Sequence, residues 1–157
     1  TETEAYNGIH DKACHAFGDK KTKRTEVMYS NGGVAYVYLC YGIHALFNIV
    51  TGVKGNPTAI LVRSIEPTIG IEKMLIRRKR TKSDRSLCSG PGNLTQALGI
   101  GLEHNKVSLN GPEIFIKDCI KPNEHFDIKA TPRIGIDYAK EHANLPYRFI
   151  LNYIKPY

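Results

Sequence analysis

Three apolar stretches decide the fold: VAYVYLC at residues 34–40, IHALFNIV at 43–50 and AILVR at 59–63. Their β-branched and aromatic residues are typical of strands, and the two-residue period of a strand places Tyr36 and Tyr38 on one face. Gly42 allows a bend between the first two stretches. The third stretch is continuously hydrophobic, which predicts a central strand covered on both faces. Together the three stretches predict the framework of a sheet.

Two helices are predicted to follow this framework. Pro67 suits the first turn of a helix, and apolar residues at three- and four-residue spacing predict that the helix covers residues 67–79. A second helix is expected after residues 90–93, with Gly99 as a natural C-terminal stop. Residues 7–33 are predicted to be mostly loop, and short strands are predicted at 114–116, 133–136 and 147–151.

Strands and helices are mixed without the regular alternation that builds a parallel sheet. The expected fold class is therefore α+β, with a single domain over residues 1–157 built on a curved, mainly antiparallel sheet with a few helices. Residues 1–4 already have the pattern of a strand interior. The sequence leaves open that one or two N-terminal strands that pair with them are missing.

Composition narrows the class of protein. The 157 residues include 22 Lys and Arg against 15 Asp and Glu, which gives a formal net charge of +7. Such a charge is expected of a protein that binds a polyanion, but solubility or another acidic partner would also account for it. No apolar run approaches the roughly 18 residues that span a bilayer, so no membrane is expected. The cysteines lie apart without a Cys-x-x-Cys pair, which favours reduced thiols in an intracellular compartment. They are Cys14, Cys40, Cys88 and Cys119.

The first residues, ETEAY at 2–6, combine carboxylates with an aromatic ring. On a strand, Glu2, Glu4 and Tyr6 would share one face. A buried carboxylate beside an aromatic ring serves as a general base if its pKa and its distance to a water are right. The alternative is an edge strand with solvated glutamates, which these residues alone favour.

Aromatic side chains with a polar tip are unusually frequent in the first part of the chain. Planar ligands stack on such groups, but the same residues fill a core equally well. Two basic clusters, at residues 20–24 and 77–85, are either phosphate-contacting segments on the two sides of a duplex or solvated surface. The aromatic set comprises Tyr6, Tyr36, Tyr38, Tyr41, His15 and His44.

Several motifs, in a fixed order from residue 2 to about residue 151, carry a resemblance to a known family. They are ETEAY at 2–6, Asp11 with ACH at 13–15, YVY at 36–38 with YG at 41–42 and Asn48, Arg63 with EP at 66–67, CSGP at 88–91 with Leu94 and QAL at 96–98, and PRIGI at 132–136. In these motifs the sequence resembles the alkyladenine (3-methyladenine) DNA glycosylase family. The resemblance implies a monofunctional DNA glycosylase of base excision repair, which flips alkylated or deaminated purines out of duplex DNA, hydrolyses the N-glycosidic bond and leaves an abasic site.

The resemblance also implies roles for individual residues. Glu4 would be the general base, and Arg63 and the main-chain carbonyl of Ile134 would hold the attacking water. Tyr41 would be inserted into the duplex, and Asn48 would disfavour normal guanine through its exocyclic amine. The pocket around the extruded base would be formed by Tyr6, His15 and Tyr38.

Elementary chemistry agrees with this scheme. A base inside a duplex must be extruded before its sugar is attacked, and an alkylated purine carries positive charge that stacks well on electron-rich rings. No lysine lies within the matched pocket motifs, so base release without strand cleavage is expected. The scheme needs neither a metal nor an organic cofactor. Within the basic clusters, Arg77 and Arg78 are the residues predicted to contact the phosphates of the DNA. The expected partner is double-stranded DNA that contains damaged purines, and the protein is expected to be a monomer in a bacterial cytoplasm or a nucleus.

Two alternatives stay open on the sequence alone. A non-catalytic nucleic-acid-binding module of the same fold would keep the stacking and the charge without using the carboxylate. A retaining glycosidase would use Glu2 and Glu4 as a carboxylate pair, although two residues so close on one strand do not by themselves lie on opposite sides of a glycosidic bond.

Overall fold

A computed structural model describes residues 1–117 and 126–153. Within these residues, six strands form a single antiparallel sheet. The strands are β1 (Glu2–Asn7), β2 (Ala35–Cys40), β3 (His44–Val50), β4 (Thr58–Ser64), β5 (Phe126–Thr131) and β6 (Arg148–Tyr153). Their order across the sheet is β2-β3-β4-β1-β6-β5.

The first strand of the chain lies in the middle of the sheet, between β4 and β6. Directly paired residues of neighbouring strands share a face of the sheet. Tyr36 pairs with Asn48, Asn48 with Leu61, Leu61 with Glu4, and Glu4 with Arg148. This row across five strands gathers residues from both ends of the sequence on one face.

Two α-helices lie in the described part of the chain, α1 (Ile71–Arg77) and α2 (Pro91–Leu98). The first is shorter than the predicted 67–79, because Gly70 directly before it has a φ of 76° and Lys79 just after it has a φ of 51°, both outside the helical region. The second ends as predicted, with Gly99 left-handed at its C-terminus, but it already begins at Pro91, because a proline fits the first turn of a helix. The α+β fold class with an antiparallel sheet is confirmed.

The sheet is covered on both faces at β4. On the face of Leu61, the loop segment 8–33 contributes buried Cys14 and Met28, which pack with Tyr36. On the other face, Val62 and Phe47 belong to a second core cluster that includes the end of α2. The predicted cover on both sides of this central strand is therefore confirmed. Residues 7–33 are mostly loop as predicted, with short 3₁₀ helices at Gly8–His10 and Glu26–Tyr29.

Two strand predictions are wrong. Residues 114–116 contribute only the isolated bridge from Phe115 to Asn110. Residues 133–136 form a bend, because Gly135 has a φ of 73° and the side chain of Arg133 turns into the interior to bind Asp11. The strand predicted at 147–151 is confirmed as β6.

Three of the cysteines, Cys14, Cys40 and Cys88, are free thiols, and Cys119 lies outside the described residues. In the ranges 1–117 and 126–153, no helix has the length and apolar character needed to cross a membrane.

Candidate active site

Glu4 is a fully buried carboxylate at the centre of the sheet, with 0% of its surface exposed. Its Oε1 accepts the backbone N–H of Ile134 at 2.8 Å and lies 3.2 Å from Nη1 of Arg63. Its Oε2 accepts the hydroxyl of Tyr6 at 2.9 Å. Because a carboxylate has about four acceptor positions, these three protein contacts leave a position on Oε2 for a further donor such as water. The alternative of a solvated edge strand does not hold for Glu4.

The hydroxyl of Tyr6 stays protonated beside Glu4. Burial raises the pKa of Tyr6 far above its usual value, and the negative charge of Glu4 raises it further. The phenol therefore acts as a hydrogen-bond donor to the carboxylate at any physiological pH. Arg133 stacks on the Tyr6 ring with its guanidinium carbon 4.8 Å from the ring centroid, which helps to fix the ring.

Arg63 lies at an irregularity in the pairing of β4 with β1. Glu2 pairs with Ser64 and Thr3 with Val62, so Arg63 has no partner in the ladder. Such bulges redirect side chains. The Nε of Arg63 donates to Oε1 of Glu2 at 2.7 Å while its Nη1 reaches Glu4.

A pocket opens beside this carboxylate on the face that carries Tyr6. His15 and Tyr38 pack edge to face with ring centroids 4.7 Å apart, and Tyr36 and Tyr38 lie 5.3 Å apart. The hydroxyl of Tyr36 is 2.8 Å from Nδ1 of His15, so these rings hold one another in place. The lining consists of Tyr6, Ala13, Cys14, His15, Met28, Tyr36, Tyr38, Asn48 and Tyr138.

His15 is uncharged at neutral pH. Burial lowers its pKa below the usual value, and the positive charge of Arg24 lowers it further. A neutral imidazole does not repel a cationic ligand in the pocket. Arg24 itself lies 5.8 Å from the Tyr38 ring centroid, so the basic cluster at residues 20–24 borders the pocket.

Asn48 is buried and immobilised at the edge of this pocket. Its Nδ2 donates to the backbone carbonyls of Tyr36 at 3.1 Å and of Leu46 at 3.4 Å. The amide nitrogen is thus engaged by the main chain of β2 and β3. A side chain fixed in this way limits the space on that side of the pocket, and its role against guanine stays a prediction.

Tyr41 occupies the tip of the hairpin between β2 and β3 and is not among the residues that line the pocket. It is 91% exposed, and both Tyr41 and Gly42 have positive φ, 50° and 72°. The turn is closed by the N–H of Ile43, which donates to the carbonyl of Cys40 at 3.0 Å. A large aromatic side chain held in a left-handed conformation is uncommon, and such strain is frequent at functional sites.

The two predicted phosphate contacts have partners inside the protein. Nη1 of Arg77 donates to the carbonyls of Ala97 and Leu98 at the end of α2, and Nη1 of Arg78 donates to Oε1 of Gln96. The bonds of Arg77 satisfy terminal carbonyls of the helix, whereas that of Arg78 goes to a side chain. Phosphate binding by Arg77 and Arg78 stays a prediction.

Sequence reasoning did not single out three residues of the site. Tyr138 lines the pocket and its hydroxyl donates to the carbonyl of Ala13 at 3.3 Å. Arg133, which directly precedes Ile134 in the chain, forms a buried ion pair with Asp11. Asp11 and Arg133 lie in matched motifs, which was the available signal, whereas nothing in the sequence pointed to Tyr138.

Of the sequence-predicted residues, Arg63 and Ile134 contact the carboxylate of Glu4. The lining of the pocket includes Tyr6, His15, Tyr38 and Asn48. It does not include Tyr41, Arg77 and Arg78. The structure connects the main chain of Ile134 to Glu4 through the N–H, and the role of its carbonyl in holding the attacking water stays a prediction. In the part of the chain that the structure describes, no group of three His, Cys, Asp or Glu side chains is arranged to hold a metal ion.

Comparison with known proteins identifies the family of this chain. A model of the methylpurine-DNA glycosylase family matches residues 1–154. Similar proteins include one from Chlamydia felis, 51% identical over 96% of this chain and 77% of its own length, and one from Chlamydia abortus, 49% identical over 96% and 78%. A protein of Bacillus cereus strain ATCC 10987 is 44% identical over 94% and 76%. All three bear the name "Putative 3-methyladenine DNA glycosylase". The chain therefore belongs to the methylpurine-DNA glycosylase family, as its motifs predicted.

Proposed function

We propose that the protein is a monofunctional DNA glycosylase that extrudes alkylated or deaminated purines from duplex DNA and hydrolyses the N-glycosidic bond, leaving an abasic site. The observation that carries the proposal is the environment of Glu4. This carboxylate is fully buried, is held by three donors from different parts of the fold, and adjoins a pocket lined by phenol rings through Tyr6.

In the proposed reaction, Glu4 removes a proton from a water molecule whose oxygen attacks C1′ of the nucleotide. The base leaves with the electron pair of the N-glycosidic bond, and the proton stays on Glu4. The carboxylate also balances the positive charge that develops on the sugar. An alkylated purine already carries positive charge and leaves readily, so a single carboxylate suffices for it. A neutral base such as hypoxanthine needs a proton donor in addition.

The pocket supports the choice of substrate class. Tyr6, Tyr36 and Tyr38 offer aromatic faces or edges to a flat base, and stacking on such rings is worth about 1–3 kcal/mol per base. A cationic purine gains further from the electron-rich rings, while the neutral state of His15 avoids repulsion. The names of the similar proteins suggest 3-methyladenine as the substrate to test first.

Tyr41 suits the extrusion step. A flipped nucleotide leaves a gap in the stack, and an exposed aromatic side chain at the tip of a hairpin has the shape to fill it. Within the described residues, no lysine lines the pocket, so base release without a Schiff base and without strand cleavage is expected.

The test is base release from methylated duplex DNA by the wild-type protein and by Glu4→Gln. The wild-type protein is expected to liberate 3-methyladenine, detected by chromatography. The variant is expected to keep its affinity for lesion-containing DNA and to lose at least about 100-fold in the rate of release. Glu72→Gln, an exposed carboxylate on α1, is the matched control. If the wild-type protein binds DNA but releases no base, a non-catalytic binding module is the better description; unchanged release by Glu4→Gln would refute the role of Glu4.

A further inference from the structure

Glu2 joins two arginines at the end of β1 that is next to Glu4. Its Oε1 accepts a hydrogen bond from Nε of Arg63 at 2.7 Å and another from Nε of Arg148 at 2.6 Å. All three side chains are at most 22% exposed, so water weakens these charge-assisted bonds only in part. A carboxylate bound in this way is not free to act as a nucleophile, which argues against the glycosidase alternative.

This bond determines where Arg63 points. A guanidinium group is planar and its donors have fixed directions. With Nε held by Glu2, Nη1 lies 3.2 Å from Oε1 of Glu4. Arg63 has no partner in the β1–β4 ladder, so its orientation depends on its side-chain contacts more than that of a regularly paired residue does.

The charges also require Glu2. Glu2 and Glu4 carry two negative charges, and Arg63 and Arg148 carry two positive charges, so the charges of these four side chains balance. Without the charge of Glu2, Nε of Arg63 and Nε of Arg148 would both lose their acceptor, and the repulsion between the two guanidinium groups would no longer be offset by a carboxylate bound to both. Nη1 of Arg63 would then no longer be held in its present direction at Glu4.

We propose that Glu2 is a positioning residue for base release: it holds Nε of Arg63 and thereby directs the other end of the guanidinium at Glu4. The proposal rests on the glycosylase function proposed above. Glu2 touches neither the base nor the attacking water and acts through Arg63.

The test is a double-mutant cycle measured on lesion-containing duplex DNA under single-turnover conditions. Glu2→Gln is expected to slow base release about ten- to 100-fold, because small displacements of a reacting group have effects of this size. Its affinity for the lesion-containing DNA is expected to stay within about twofold of the wild-type value. In an Arg63→Gln background, Glu2→Gln is expected to have an effect of less than about twofold, because its target is already absent. Glu72→Gln on α1 controls for loss of a carboxylate elsewhere.

Two results would overturn the proposal. One is a rate for Glu2→Gln within about twofold of wild type. The other is an equal loss in the wild-type and Arg63→Gln backgrounds, which a merely structural contribution of Glu2 would produce. Should Glu2→Gln fail to fold, Glu2→Asp is the second variant, because it keeps the negative charge on a side chain that is one methylene shorter. Slower base release is expected for Glu2→Asp, and release at the wild-type rate would contradict the proposal. If the wild-type protein releases no base, the glycosylase function fails, whereas release at the same rate by the wild-type protein and Glu2→Gln refutes only the role of Glu2.

Discussion

Removal of the negative charge of Asp11 is expected to destabilise the fold strongly. Arg133 binds Asp11 through both terminal nitrogens, at 2.5 Å and 2.9 Å, and the two side chains are 0% and 2% exposed. The same nitrogens donate to the carbonyls of Ala5 on β1 and of His142. Asp11→Asn leaves the Arg133 charge buried without its counter-charge. Breaking a buried pair on one side costs about 3–5 kcal/mol, a large share of a total stability of about 5–15 kcal/mol.

Urea unfolding followed by circular dichroism measures this loss. With an m-value of about 2 kcal/mol/M, the expected loss lowers the urea midpoint by about 2 M. Asp127→Asn is the control, because Asp127 is exposed on β5 and pairs only with Asn152 among the described residues. Its free energy of unfolding is expected to change by less than about 0.5 kcal/mol.

A midpoint lowered by less than about 0.5 M in Asp11→Asn would refute the reasoning. A second variant tests the cause of the loss. Asp11→Leu combined with Arg133→Met removes both charges. The double variant is expected to lose less free energy of unfolding than the two single variants lose together, because replacing a whole buried ion pair by apolar side chains is often nearly neutral. Additive losses would show that an uncompensated charge is not the reason.

Burial raises the pKa of Asp11, but hydrogen bonds from Arg133 and from backbone amides outweigh it and lower that pKa below its usual value. The resulting stabilisation is complete above the unfolded pKa of about 3.9 and is lost as pH falls through the lower folded value, so urea midpoints of the wild-type protein should fall more steeply in acid than those of Asp11→Asn. Tyr41→Ala is expected to change the free energy of unfolding by less than about 0.5 kcal/mol and to slow base release from duplex DNA at least about tenfold, and equal rates would contradict its insertion into the duplex. Asn48→Ser is expected to raise the release of guanine relative to adenine bases, measured by chromatography of the liberated bases, because a shorter side chain leaves room for the exocyclic amine.

Local pattern was enough to predict the strands around Tyr36 and Leu61 and the second helix. In these segments, β-branched and aromatic residues form the strands that they favour, and Gly99 supplies the conformation that the helix end requires. The same reasoning failed at residues 133–136, where alternating isoleucines indicated a strand. There the buried pair of Arg133 with Asp11 and the left-handed Gly135 outweigh the local preference.

The candidate site could be predicted only in part. The family motifs predicted Glu4, Arg63 and the pocket rings, because these residues belong to recognisable segments of the sequence. They could not show that β1 lies in mid-sheet, since the pairing partners of Glu4 are Leu61 and Arg148, far away along the chain. The burial of Glu4 depends on that pairing, and so do its contacts with Arg63 and with the N–H of Ile134. The contact of Glu2 with two arginines is likewise a product of tertiary structure.

The position of β1 links the stability of this fold to its proposed chemistry. A buried carboxylate must be compensated by donors, and those of Glu4 come from β1 itself, from β4 and from the segment that holds Ile134. That segment is fixed by Arg133, which also binds the backbone of β1 at Ala5. Changes in any of these elements therefore alter both the fold and the environment of Glu4. Tyr41, by contrast, is 91% exposed at the tip of a hairpin and is not one of the donors to Glu4. Replacement of its side chain is therefore expected to affect the opening of the duplex and to leave the environment of Glu4 unchanged.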